Sequence, residues 1–296
     1  MRSGALLCVV FALPIGCSEG SSSTPVSSGT TVQVGCYSAA YAGVSYGMLG
    51  CGVQSSFGHP VIDAQAVQEY QIQTAFWTGF QPQVYPFLEC SSPNALSLPA
   101  GIILFGVQLT RQVVMSTNST LPLAGILAHE WAHQVQFRFN WFDPQAPTVR
   151  DSELEADAFS GFYMYLAKGW AGPQMHTYFD TLFSLGDYNF HDKGHHGTPN
   201  MRIAAGALGM AVGQMAAKSN RRYTYVELHD EFRRAIAEIV RCNGFCRDPL
   251  GQLKLPPSFG PAEAAFIEDA VKGVLPSAPS SYPIPQPRPD LCPLER

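Results

Sequence analysis

Residues 127–137 read LAHEWAHQVQF, and their spacing sets what the rest of the fold has to supply. His129 and His133 are four positions apart, so on an α-helix they project from one face, a turn apart, and can grip a single metal ion. Glu130 adjoins the first histidine but is rotated around the axis, where a carboxylate reaches a water on the metal without ligating it. This His-Glu-x-x-His pattern needs a partner from elsewhere, because a catalytic zinc takes three protein ligands and keeps a fourth position open. The plainer alternative is a helix carrying two hydrogen-bonded histidines. Leu123, Ile126, Leu127, Trp131 and Val135 put apolar bulk all round the segment, so the helix is expected to be buried. It should begin near Pro122, capped by Thr120 or Ser119.

The third ligand is sought downstream, in Asp151-Ser152-Glu153-Leu154-Glu155-Ala156-Asp157-Ala158-Phe159-Ser160-Gly161. Ser152 and Glu155 have the form of a capping box, and helical periodicity continues to Lys168 before Gly169 stops it. Glu153 and Asp157 share a face at i and i+4. Glu153 is therefore the candidate metal ligand, and Asp157 the acceptor for the second ring N–H of a ligating histidine, fixing its tautomer. Glu155 is the rival ligand, with capping as its other reading. Acidic residues in a first helical turn also occur simply because the helix dipole favours them.

Residues 187–202, DYNFHDKGHHGTPNMR, are polar and dense in histidine. His196, or in its place His195 or Tyr188, is expected to face the cleft and stabilise the oxyanion formed on a scissile carbonyl. The same residues could instead be an exposed loop or an extra metal site. Arg202 is expected to pair with a carboxylate. Thr198 should cap, and Pro199 open, a small-residue helix running to Ala217.

Other helices are expected over 63–76, 174–185, from a Thr224–Glu227 capping box to about Arg241, and over 261–272. Residues 94–106, NALSLPAGIILFG, are apolar and β-prone but interrupted by Pro99 and Gly101. Proline is tolerated at a sheet edge, so an edge strand bordering the cleft is expected there, able to pair with an extended peptide by strand addition or to serve only as an ordinary strand.

The chain has 296 residues, 46% hydrophobic and 14% charged, enough for a large core. A net charge of -5 with 18 Lys+Arg leaves no basic footprint for nucleic acid. Residues 1–16 combine an arginine with a short apolar run and look like a secretory signal peptide. Leu13-Pro14-Ile15-Gly16-Cys17 has the form of a bacterial lipobox, with Pro14 where leucine is usual. Cys17 would then carry a lipid anchor, and cleavage nearby with free secretion is the alternative. Residues 17–35 form a flexible tether, 36–275 a folded domain and 276–296 a Pro/Ser-rich tail. Cys36, Cys51, Cys90, Cys242, Cys246 and Cys292 remain, an even set consistent with up to three disulfides in an exported protein. Cys36 and Cys51 would tie down a loop-rich lead-in, Cys242 and Cys246 would close a small loop, and Cys292 would staple the tail back. A second zinc site at the cysteines is the weaker reading.

HEWAHQVQ, followed by ELEADAFSG and by LGD with HHGTPNMR, resembles the bacterial neutral zinc metallopeptidase family, within the gluzincin type. NALSLPAGIILFG and the His196-to-Arg202 spacing are also similar to the CAAX prenyl endopeptidases. The resemblance covers roughly residues 94–210. It implies an α+β, mainly helical zincin-like fold with a small sheet, and a peptidase with one Zn2+ held by His129, His133 and Glu153. Glu130 would be the general base and Asp157 an outer partner. Ala132 stands where these families usually have glycine, and Gln134 replaces a histidine common in the neutral family. The prenyl enzymes span membranes many times, so their substrates are not expected here. The competing expectations are a surface lipoprotein that binds metal without catalysis, and an interaction lipoprotein without metal.

Overall fold

A computed structural model of the chain describes residues 52–89, 93–143, 145–169, 173–249, 252, 254–255, 259–272 and 287–295. The expected signal peptide, lipobox and tether lie outside them, as do Cys36, Cys51 and Cys90. Elements follow in the order β1 (Gly52–Val53), α1 (Pro60–Phe76), β2 (Gln83–Leu88), β3 (Ala95–Leu98), β4 (Ile102–Gly106), α2 (Val107–Thr117), α3 (Leu121–Phe139) and α4 (Arg150–Leu166). After them come α5 (Pro173–Leu185), α6 (Pro199–Ser219), α7 (Tyr225–Cys242), α8 (Pro261–Lys272) and a 3-10 turn, Pro289–Leu291. The fold is thus α+β and mainly helical, with one small mixed sheet ordered β1-β2-β4-β3. Among the described residues, no helix is long and apolar enough to cross a membrane.

Helix α3 is the centre of the body. Every residue from Ala124 to Gln136 is buried, because apolar side chains surround it rather than forming one stripe. Helix α4 lies against it, and α4 in turn packs most extensively on α6. That last contact is close because glycines leave room: a Cβ on Gly161 would sit 2.1 Å from the Gly206 carbonyl oxygen, and one on Gly209 1.8 Å from that of Ala158. The sheet covers α3 from the other side. Strands β3 and β4 form an antiparallel hairpin with Leu98 opposite Ile102, and β2 runs parallel to β4. Pro99 therefore lies in the hairpin turn and not inside a strand, which removes the conflict between proline and ladder hydrogen bonds. Strand β3 is one edge of the sheet, and β1 is the other. The former borders α3, where Ser97 Oγ donates to the Glu130 carbonyl at 2.9 Å.

Several local expectations need correction. The Ser152–Glu155 capping box does not form: α4 begins earlier, Val149 is its cap residue without a side-chain bond, and Ser152 already lies inside the helix. Thr120 stands at the cap of α3 without capping it, and Ser119 Oγ accepts from Leu121 N at 3.1 Å instead. The boxes and caps further on do form, at Thr224 with Glu227 and at Thr198 with the Met201 N–H. Cys242 and Cys246 are disulfide-bonded, whereas Cys292 is a free, buried thiol. Hydrogen bonding holds the tail residues in its place: Leu294 pairs with Thr224, and Thr78 Oγ1 donates to the Pro293 carbonyl at 2.6 Å. Strand β2 and helix α2 had no sequence signal. Glu89, at the end of β2, accepts the backbone N–H groups of Gln108 and Leu109 at 2.8 and 2.9 Å and so caps α2 from a distance.

A candidate metal centre between two helices

Helix α3 contributes His129 and His133 from successive turns, and the first turn of α4 contributes Glu153. All three are buried, at 3%, 0% and 0% exposure. Their ligand atoms converge. The two Nε2 atoms are 3.1 Å apart, His129 Nε2 is 3.2 Å from Glu153 Oε2, and His133 Nε2 is 3.4 Å from Glu153 Oε1. These three residues could hold a metal ion.

The chemistry of the donors agrees with that use. His129 Nδ1 lies 2.9 Å from Asp157 Oδ1, and both Asp157 oxygens also accept from Arg202, from Nε and Nη2 at 2.7 Å each. An ionised Asp157 only accepts, so His129 Nδ1 must carry the proton. His133 Nδ1 lies 2.7 Å from Gln136 Oε1 and donates in the same way. In the neutral imidazoles, each Nε2 is left with a lone pair, and the two lone pairs point at each other and at a carboxylate. Such an arrangement is repulsive until a cation enters it. Both Glu153 oxygens are buried without a hydrogen-bond partner, a costly condition that a cation relieves. The donor set therefore fits a metal ion.

Proton affinities point the same way. Burial pushes the His133 pKa down to about 4, against the opposing pull of Glu153, so its ring is neutral at pH 7. Burial alone would raise Glu153, but the charge that His133 takes up in acid, together with His129, outweighs it and holds Glu153 at about 2. Asp157 is likewise pushed up by burial and more strongly held down by Arg202 and His129. Neutral imidazole and ionised carboxylate are the forms that bind metal.

The remaining candidates separate. Glu130 is fully buried on α3 beside His129. His196 comes near enough for its charge to lower the Glu153 pKa, and its Nε2 is buried without a partner, but it is not one of the three converging groups. His195 is buried, with Nδ1 donating to Asp187 Oδ1 at 2.6 Å, and the same carboxylate accepts the His196 backbone N–H at 3.0 Å. Tyr188 is 63% exposed and turns outward. Arg202 pairs with a carboxylate as expected. Glu155 is no ligand: it is buried against Gln136 and His229. Sequence reasoning passed over Asp187, Gln136 and His229. Gln136 alone had a local signal, lying three residues after His133 on the same helical face.

A groove of about 500 Å³ opens between the hairpin turn at Pro99 and Gly101, the last turns of α3 at Gln134 and Phe137, and Phe142 just beyond that helix. The Phe142 ring lies 5.8 Å from that of His133 and stacks on Phe137 at 4.8 Å. The ring therefore lines the groove and also packs against His133. Gln134 ties the hairpin to α3 by donating to the carbonyls of Leu98 and Ile102 at 3.0 and 3.3 Å.

No family model matches this chain, and no curated protein or solved structure is significantly similar to it.

Proposed function

We propose that the protein is a zinc-dependent endopeptidase of zincin-like fold, holding one Zn2+ on His129, His133 and Glu153. The observation that carries this reading is the set of three ligand-atom separations, 3.1, 3.2 and 3.4 Å. Zinc bonds of about 2.0–2.1 Å at tetrahedral angles place neighbouring donors about 3.3–3.4 Å apart. The resemblance of HEWAHQVQ, ELEADAFSG and HHGTPNMR to the neutral zinc metallopeptidases supports the same assignment.

Bound zinc would polarise a peptide carbonyl and acidify a water. Glu130 takes the proton from the attacking water and delivers it to the leaving amine. Asp157 and Arg202 hold His129 in the tautomer that faces the ligand cluster. His196, kept in place by Asp187, supplies a donor for the oxyanion. The edge strand β3 offers its backbone to an extended peptide, and the groove at Phe142 takes a neighbouring side chain. The lipobox-like start supports export, with attachment to the cell envelope through Cys17 or release after nearby cleavage.

Full burial of the ligands favours a second reading, a metal-binding protein without catalysis. Zinc content and hydrolysis of a peptide library, measured for the native chain and for Glu130→Gln, separate the two. For a peptidase, the variant keeps about one zinc per chain and loses about 10²–10⁴-fold in turnover. A native chain that holds zinc and cleaves no peptide sinks the enzyme reading.

A further inference from the structure

The two ligating histidines are steadied by unlike partners, and the one behind His133 extends to the surface. The Gln136 amide meets three groups: Oε1 faces His133 Nδ1 at 2.7 Å, while Nε2 donates to the Ser152 carbonyl and to Glu155 Oε2, both at 2.9 Å. Both groups on its nitrogen side are acceptors, so the amide cannot be flipped without opposing oxygen to oxygen. Its oxygen must face the imidazole, and the proton of His133 must then sit on Nδ1. Glu155 is held in turn: its other oxygen accepts from His229 Nδ1 at 2.5 Å. His229 is 21% exposed and its ring stacks on Trp141 at 4.0 Å, nearly parallel.

From this geometry we infer that Gln136, Glu155 and His229 are positioning residues, a chain that fixes the tautomer and aim of His133 and thereby sets metal affinity from helix α7, an element that carries none of the three ligands. The inference rests on the metal reading of His129, His133 and Glu153. It adds a control on that centre separate from the Asp157–Arg202 pair. Removing the amide frees His133 to place its proton on Nε2, the atom that must be bare to bind metal. Removing the His229 donor lets the Glu155 carboxylate turn, which loosens the amide.

The test uses the full chain in two measurements. In metal-free protein with 15N-labelled histidine, long-range 1H–15N NMR reads the His133 tautomer, which needs neither zinc nor activity. Competition with a chromophoric chelator then reads Zn2+ affinity. Native protein should show His133 protonated on Nδ1. Gln136→Met, close in shape but without hydrogen bonds, should show mixed tautomers and bind zinc about 10- to 100-fold more weakly. His229→Phe keeps a ring on Trp141 and should still lose about 10-fold, whereas His229→Gln, which keeps a donor, should regain most of it. Far-UV circular dichroism checks that each variant is folded. A native His133 protonated on Nε2 overturns the inference whatever the metal result, as do variants whose tautomer is native and whose affinity lies within about twofold. Native protein with the Nδ1 tautomer but no zinc binding sinks the metal reading instead.

Discussion

Arg202 carries a full positive charge at 2% exposure, and the bidentate bond to Asp157 is what makes that position tolerable. Arg202→Met should leave a buried carboxylate without its counter-charge and cost about 3–5 kcal/mol in urea unfolding. The pH dependence has a definite sign. A histidine whose folded pKa is lowered contributes stability that is complete above its unfolded value of about 6.5 and is lost as pH falls toward the folded one. For His133 that value is about 4. Glu153 and Asp157, whose folded values are depressed, add a further loss only below the ordinary carboxylate range, as pH falls through them. Metal-free protein should thus weaken by about 1.4 kcal/mol per pH unit from about pH 6.5 downward, seen as falling urea midpoints; a flat profile between pH 7 and 5 would contradict the burial of a neutral His133. At this scale, His129, Glu130 and His133 were legible because helical spacing is local. Glu153 and Asp157 became legible only once a third ligand was required. His229 was not, since it meets Glu155 across 74 positions and Glu155 had a plausible local role as a cap.

At the scale of elements, the contact between α4 and α6 aligns the site, because α4 carries Glu153 and Asp157 while α6 carries Arg202. Its closeness depends on backbone touching backbone at Gly161 and Gly209. Gly209→Ala should force the helices apart, cost about 1–3 kcal/mol from overpacking, and weaken zinc binding by moving Arg202 from Asp157. A variant destabilised in urea but with native zinc affinity would show that the alignment is set elsewhere. The small-residue run predicted α6 well, since it ends within two residues of expectation. The apolar run at 94–106 did not reveal a hairpin, because hydrophobicity marks burial and leaves pairing open. Helix α2 was hidden for a different reason: its capping carboxylate, Glu89, lies on another element, so no local motif announces its start.

The molecule as a whole encloses three acidic side chains on one turn and a half of α4, Glu153, Glu155 and Asp157, all buried. Arg202 answers one of them and His229 another. A cation held by His129, His133 and Glu153 would answer the third, so folding and metal binding should be linked. Free Zn2+ at 100 times its dissociation constant should add about 2.7 kcal/mol and raise the melting temperature by roughly 5–10 °C, reversed by a chelator. A melting temperature indifferent to zinc would break the link. Most helices and one β-prone run were legible from local pattern, whereas the α+β architecture was expected from the family resemblance. The path of the tail was not legible, because backbone pairing at Leu294, with Cys292 free, secures it.

The Phe142 ring, which lines the groove and packs against His133, bears on kinetics as much as on shape. An ion held by His129, His133 and Glu153 would be released through a local opening of the chain around Phe142, and that opening would time its exchange. Extraction should then proceed at a rate that stops rising with chelator concentration, and a smaller residue at 142 should lift that ceiling while leaving the equilibrium affinity nearly unchanged.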